Sequence, residues 1–205
     1  MFTGLITDVG TIDRVSETNA GREFRVACAF GDLVAGESIA VNGACLTVRE
    51  FGAGWFTVAA VHTTLGRTTL GEWTPGRRVN VERAVRASDR LGGHFVLGHV
   101  DDVGDVTGVE QAGDARLVDV ALPVALAPLI IPHGSIAVDG VSLTINAVRE
   151  PSGVQLSLIE YTLRHTTLGA LAPGQRVHVE ADVIGKYVQR LAAGSLAGAL
   201  TQSQL

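Results

Sequence analysis

The chain repeats itself, and this constrains its fold more than any other feature. Residues 1–12 (MFTGLITDVGTI) lie over residues 95–106 at an offset of 94, matching Gly4 to Gly98, Asp8 to Asp102, Val9 to Val103 and Gly10 to Gly104. SIAVNGACLTV (38–48) lies over SIAVDGVSLTI (135–145) at an offset of 97, with 7 of 11 positions identical. TTLGRTTLGEWTPGRRVNVE (63–82) lies over YTLRHTTLGALAPGQRVHVE (161–180) at an offset of 98, with 12 of 20 identical. Blocks that keep both order and spacing mark a duplication, which has to be recognised before any other reading of the fold. Each unit spans about 90 residues, enough for a small domain. The expected division is 1–93, 94–184 and a C-terminal helix over 185–200.

Within each unit the pattern is mostly β. Short runs rich in Val, Ile, Thr and aromatics (38–41, 45–48, 55–60, 79–82) are separated by Gly52, Pro75-Gly76 and Asn42-Gly43. Asn42-Gly43 between apolar runs is a hairpin signal, and Asp139-Gly140 repeats it. Many short strands with regular turns predict an all-β fold of two small closed barrels, which leave no exposed edges. The 25 glycines suit tight corners. The charged stretch 82–94, ending in Gly92-Gly93, reads as the connection between barrels. From Asp182 onward Val183, Ile184, Tyr187, Val188, Leu191 and Leu196 recur at helical spacing, with Lys186, Gln189 and Arg190 on the other side. No third barrel is available to cover that stripe, so self-association is favoured over an internal role.

Composition excludes several functions. Apolar residues make up 46% and the net charge is only -5, unlike a disordered chain. The longest uncharged apolar run, residues 120–132, contains three prolines and falls short of the ~20 residues of a membrane span. MFTGLITDVG has no basic leader or apolar core of a secretory signal, so a cytoplasmic location is expected. The cations are 15 arginines and Lys186 in an acidic chain, which offers no basic face for nucleic acid. Two cysteines, Cys28 and Cys45, form no disulfide framework.

No GxSxG, HExxH, P-loop or CxxC is present. The histidines (62, 94, 99, 133, 165, 178) lack metal-ligand spacing, so no metal site is expected. The informative positions are those where the repeats differ, because a duplicated site that performs one-sided chemistry must become asymmetric. Cys45 faces Ser142, His99 faces Leu5, Asn42 faces Asp139 and Ala44 faces Val141. Unpaired cysteines are more often buried small hydrophobes than nucleophiles, and His99 alone reads as a hydrogen-bonded surface residue. Thr47 and Thr144 are strand formers whose hydroxyls could also meet a heterocycle. Thr68-Thr69 and Thr166-Thr167 suit capping.

Together MFTGLI, VNGACLTV, LGGHFVLGHVD, VDGVSLTI and the twice-occurring TTLG…PGxRVxVE resemble the riboflavin synthase family over about residues 1–191. The resemblance implies two Greek-key barrels of six strands, each holding one 6,7-dimethyl-8-ribityllumazine. The reaction implied moves a four-carbon unit from one lumazine to the other, giving riboflavin and 5-amino-6-(ribitylamino)uracil without cofactor or metal. It also implies a homotrimer joined through C-terminal helices, with active sites between barrels of neighbouring subunits, and names a lumazine synthase shell as a partner to consider.

By the same resemblance the first site uses Gly4, Leu5, Ile6, Cys45, Leu46, Thr47 and a strand carrying Ala59, Ala60, Val61, His62, Thr63 and Thr64. The second uses Gly98, His99, Val100, Ser142, Leu143, Thr144 and a strand carrying Leu158, Ile159, Glu160, Tyr161, Thr162 and Leu163. Phe2, Ser38, Cys45 and His99 occupy positions tied to turnover. Phe2, Ser38 and Cys45 are expected to activate one lumazine, with His99 of the opposed barrel assisting proton transfer. The chain departs from the family at His133, where a lysine is common, at Thr63 and Tyr161, where Glu precedes Thr-Leu, and at Glu160, where Pro follows Leu-Ile. Histidine at 133 would make a cation near the pyrimidine carbonyls depend on pH. The competing reading is a non-catalytic lumazine- or flavin-binding protein on the same scaffold, which would be expected to degrade the second motif. A flavin-reductase barrel predicts a single unit.

Overall fold

The computed structural model describes the backbone of residues 1–202 and the side chains of residues 1–193. The first barrel contains β1 (Asp8–Thr18), β2 (Gly21–Ala27), β3 (Ser38–Val41), β4 (Ala44–Gly52), β5 (Trp55–Val61) and β6 (Arg78–Arg83). The second contains β7 (Asp102–Ala112), β8 (Ala115–Ala121), β9 (Ser135–Val138), β10 (Val141–Arg149), β11 (Gly153–Leu158) and β12 (Arg176–Ala181). Each closes in the same Greek-key order, β1-β2-β5-β4-β3-β6 in one and β7-β8-β11-β10-β9-β12 in the other, with all pairs antiparallel. Alternation along the strands sends one face inward. Gly10 and Ile12 of β1 and Phe24 and Val26 of β2 meet Val58, Val79 and Val81 in one core, and Val118, Ile136, Leu156 and Val177 fill the other.

The expected hairpins are present. Asn42 and Gly43 lie at φ 45° and 77°, and Asp139 and Gly140 at 45° and 79°. These are the left-handed values that a two-residue turn requires. The two tips meet back to back, so that a Cβ on Gly43 would stand 2.7 Å from the Gly140 nitrogen and one on Gly140 equally close to the Gly43 nitrogen. Both glycines are therefore fixed by backbone conformation and by contact.

Three parts of the sequence reading are corrected. Glu82 and Arg83 do not belong to the connection. They end β6, and Glu82 is buried. The segments 59–64 and 158–163 are not continuous strands. β5 stops at Val61 and the chain winds into α1 (His62–Arg67), while β11 stops at Leu158 and α2 (Glu160–His165) follows. Thr68 and Thr166 close these turns: each hydroxyl donates to the carbonyl four residues back, Thr64 or Thr162, and accepts the N–H two residues on, from Leu70 or Leu168, capping 3-10 turns at Thr69–Glu72 and Thr167–Ala170.

The C-terminal helix α3 runs Val183–Gln202, and Asp182 accepts the Ile184 N–H at its start. Ile184, Tyr187 and Val188 are exposed. Leu196 lies outside the residues whose side chains are described. Among the described residues no helix is long and apolar enough to cross a membrane.

Between the barrels lies a buried polar cluster that duplication made and then divided. His178 and Asn80 are repeat equivalents. Asn80 donates Nδ2–H to the Asp139 carbonyl at 2.9 Å and accepts the Thr167 N–H at 2.7 Å. His178 copies this: Nδ1 meets the Asn42 carbonyl at 2.8 Å, and Nε2 accepts from the Thr69 N–H at 2.9 Å. A carbonyl on one side and an N–H on the other fix the neutral Nδ1–H tautomer. Burial holds the imidazole down to about 4 and pushes the Asp139 carboxyl up to about 7. The two oppose each other in acid stability. His178 contributes stability that is present above its ordinary 6.5 and lost as pH falls toward 4. Asp139 contributes stability that is present below its ordinary 3.8 and lost as pH rises through 7. Asn42 stands at the equivalent of Asp139 with the same φ and accepts the Asn80 N–H through Oδ1 at 2.6 Å. Asp139→Asn should therefore stabilise the protein more at pH 8 than at pH 5, on a scale of about 1.4 kcal/mol for each pH unit between folded and unfolded titrations. Denaturant melts at the two pH values check this, and an equal change at both would contradict it.

Candidate active site

Each barrel is preceded by an arm that crosses to the other barrel. The arms begin at a two-way backbone bridge, Phe2 N–H to Val96 O at 2.7 Å and Val96 N–H to Phe2 O at 3.1 Å. Glu82 then takes the Thr3 N–H at 2.7 Å, the Thr3 hydroxyl at 2.7 Å and the Gly4 N–H at 3.0 Å. Glu180 takes the Leu97 N–H at 2.7 Å and the Gly98 N–H at 2.9 Å. Burial raises both carboxyl groups above the usual carboxylate range, against the pull of these donors. Beyond the carboxylates, the Gly98 carbonyl accepts the Cys45 N–H and the Gly4 carbonyl accepts the Ser142 N–H, both at 2.8 Å.

The arms therefore exchange the two expected sets. Gly98, His99 and Val100 lie against Cys45 of the first barrel, while Gly4, Leu5 and Ile6 lie against Ser142 of the second. Val100 packs on the first core and Ile6 on the second. The family resemblance was read as placing each arm with its own barrel. The reversal comes from the pairing of each arm with the neighbouring barrel's hairpin strand.

In the first barrel this produces a cavity of about 690 Å³ lined by Ala44, Cys45, Thr63, Thr64, Gly66, Arg67, Thr68, Gly98, His99 and Val100. That is the size range of a small-molecule site. A thiol, an imidazole, a guanidinium and three hydroxyls thus face one space. The thiol and imidazole can take or give a proton, the hydroxyls can meet ring carbonyls, and Arg67 can meet polar or anionic groups. Among the described residues no group of His, Cys, Asp and Glu has the arrangement to hold a metal ion.

Several expected residues sit elsewhere. Phe2 is fully buried between the barrels, so it supports the Gly98 arm and has no open face for a ligand. Ser38 opens β3 opposite Thr47, two register steps from Cys45, and its carbonyl accepts the Ala84 N–H. Leu46, Ala60 and Leu158 belong to the barrel cores, and Thr47, Val61 and His62 are exposed. Ala59 is half-buried on β5.

The second barrel presents the equivalent face. Ser142, Leu143, Thr162 and Leu163 are half-buried, and Thr144, Ile159, Glu160 and Tyr161 exposed. Tyr161 stacks on His165 and Glu160 pairs with Arg164, so the residues that replace the family's usual ones occupy each other's helix, α2. His133, at φ 63°, donates its N–H to Ile145 and is thereby placed beside the Thr144 end of β10. The sequence reading missed His94. Its Nδ1 lies 2.7 Å from Ser142 Oγ, its Nε2 is buried without a partner among the described residues, and burial lowers its pKa. Its place in LGGHFVLGHVD, directly before the matched block, was the available signal.

A separate cavity of about 520 Å³ lies at the waist, with Arg77, Arg78, Arg164 and Arg176 among its lining. Of the expected ligand residues it includes Leu163 alone.

Comparison with known proteins assigns the fold a lineage. The model of the lumazine binding domain matches twice, over residues 3–84 and 97–182, so each match includes an arm and the glutamate that holds it. Riboflavin synthase of Bacillus subtilis is 41% identical over 192 residues, covering 93% of this chain and 89% of that protein. The chain belongs to the riboflavin synthase family. The Mycobacterium tuberculosis member is 41% identical over 196 residues, 93% of this chain and 98% of its own. Among solved structures, LumP complexed with riboflavin superposes with a TM-score of 0.79 at 24% identity, over 88% of this chain and 99% of that one, a likeness of fold. The family's two lumazine-binding repeats are the two barrels with their arms.

The close approach of arm and barrel is testable. At Gly98 φ is +77° and an added Cβ would stand 2.6 Å from Cys45 Cβ, whereas at Gly76 φ is +94° with open space. Gly98→Ala should cost about 1–3 kcal/mol more than Gly76→Ala in denaturant melts. Equal losses would mean that only the backbone angle matters.

Proposed function

We propose that the protein is a riboflavin synthase, converting two molecules of 6,7-dimethyl-8-ribityllumazine into riboflavin and 5-amino-6-(ribitylamino)uracil. The observation that carries this is identity of about 40% to named riboflavin synthases over nearly the whole chain, both repeats included. The atoms balance without an added oxidant or reductant, because one lumazine gives a four-carbon unit to the other. The flat ring systems have to be held in opposed orientation, so positioning supplies much of the rate. The lumazine 7-methyl group is acidic because its anion delocalises into the ring, and a base or an adding nucleophile starts carbon–carbon bond formation.

In our reading Cys45 and His99 perform that start in the cavity they share, with Thr63, Thr64 and Arg67 meeting the bound lumazine. Ser142, with His94 on its hydroxyl, receives the second lumazine beside Leu5, Ile6 and Thr144. Ser38 and Phe2 act by supporting β3 and the arm. Residues 1–93 and 94–184 serve as the two lumazine-binding units. The helix over 185–200 joins copies into a homotrimer through the exposed Ile184, Tyr187 and Val188, a face that stays in water in the single chain. Both cysteines are free, which fits a reducing compartment, and we assign the protein to the cytoplasm.

Incubation with 6,7-dimethyl-8-ribityllumazine should yield riboflavin fluorescence, with one riboflavin formed for every two lumazines consumed. Lumazine binding without product would instead support the non-catalytic reading. Cys45→Ser and His99→Gln should each lower kcat by about 10²-fold or more, the scale of lost acid–base assistance. Turnover within a few-fold of the parent in both variants would remove these two from the assigned roles. Val188→Asp should shift the sedimenting species toward the monomer, and an unchanged trimer would place the interface elsewhere.

A further inference from the structure

The buried carboxylates Glu82 and Glu180 are used by no step of the proposed reaction, and neither lines the Cys45 cavity or the waist cavity. Both are repeat equivalents on the last strand of their barrels. Both grip consecutive backbone N–H groups, Thr3-Gly4 in one case and Leu97-Gly98 in the other. In both, the next bond outward runs from the gripped glycine's carbonyl to the strand that carries the opposite barrel's site residue, Ser142 or Cys45. The residue following the glycine then reaches the opposite site: Leu5 on one side, His99 on the other.

We infer that Glu82 and Glu180 are positioning residues: each carboxylate fixes its own repeat's arm so that the arm completes the other repeat's ligand site. This rests on the site assignment above, and it adds the groups that hold the site together. Two N–H donors on two oxygens set both the position and the tilt of the arm, which a single hydrogen bond does not. The arm is closely packed at Gly98, where a Cβ would meet Cys45 Cβ at 2.6 Å and the Phe2 ring at 2.9 Å, so it has no room to shift toward Cys45 and can loosen only away from it.

The grips are not equal. Glu82 also takes the Thr3 hydroxyl, and Leu97 at the equivalent position of the second arm has none to offer. The second arm has another tie in its place. Asp101, just past Val100, accepts the Ala181 N–H at 2.8 Å and pairs with Lys186 of α3 at 2.7 Å, joining the His99 arm to the C-terminal helix. Thr7 stands at the repeat equivalent of Asp101 and lacks the carboxylate. The arm that brings the imidazole is therefore held from the helix side as well.

The arms predict a local signature at Cys45 that general loosening of the fold does not give. Alkylation of Cys45 by iodoacetamide, followed by peptide mass mapping with Cys28 as internal reference, should be about tenfold faster in Glu180→Gln, where the arm over the thiol opens. In Glu82→Gln it should stay within about twofold of the parent, because that arm lies on the Ser142 side. Glu180→Asp, which keeps the charge but is one methylene short of bridging both N–H groups, should behave as Glu180→Gln does and covers the case in which the amide variant fails to fold. An unchanged Cys45 rate in the Glu180 variants, or the same rise in Glu82→Gln, would overturn the assignment. Riboflavin formation is not read in this experiment. A selective rise at Cys45 in a protein that makes no riboflavin would leave the arms standing and remove the proposed activity.

Discussion

The molecule depends on backbone N–H groups gripped by buried carboxylates at its waist. A carboxylate is costly to bury unless it is hydrogen-bonded, and Glu82 and Glu180 are satisfied almost entirely by the arms they hold. The arms in turn close the pseudo-twofold contact through the Phe2–Val96 bridge. Arm, barrel and partner barrel thus form one unit, and the Cys45 cavity takes residues from both repeats.

Duplication gave the chain two copies of one plan, and the differences between the copies follow the chemistry each position can support. Asn80 and His178 satisfy the same pair of backbone groups by different means, an amide in one repeat and a neutral imidazole in the other. The imidazole also stacks on Trp73, whose repeat equivalent is Leu171. At the sites the divergence has a different character. Cys45 with His99 puts a thiol and an imidazole on one cavity, whereas Ser142 with Leu5 offers a hydroxyl and an apolar side chain. That asymmetry suits a reaction in which two identical molecules play opposite parts.

Much of this was legible in the residues. Repeat spacing and the Asn-Gly and Asp-Gly turns are local signals, and they were enough for two barrels, matched hairpins and a terminal helix. Residues 62–64 and 160–163 were placed on strands by the family resemblance, whereas the β run read from the residues themselves stopped at Ala60. The helical turns there are tied off by Thr68 and Thr166, whose hydroxyls donate back to the Thr64 and Thr162 carbonyls. The approach of His99 to the Cys45 group was expected, but the resemblance was read as seating each arm in its own barrel's site, and only long-range pairing, Gly98 to Cys45 and Gly4 to Ser142, exchanges them. Glu82 and Glu180 looked like strand ends, and the contact of His94 with Ser142 joins residues far apart in the chain.

The most direct measurement is a crystal structure with 6,7-dimethyl-8-ribityllumazine bound. The account predicts a lumazine in the Cys45 cavity, in contact with His99 of the second repeat's arm and with Thr63 or Thr64 of the first barrel. A lumazine seated instead among Arg77, Arg78 and Arg176 at the waist, with the Cys45 cavity empty, would contradict it.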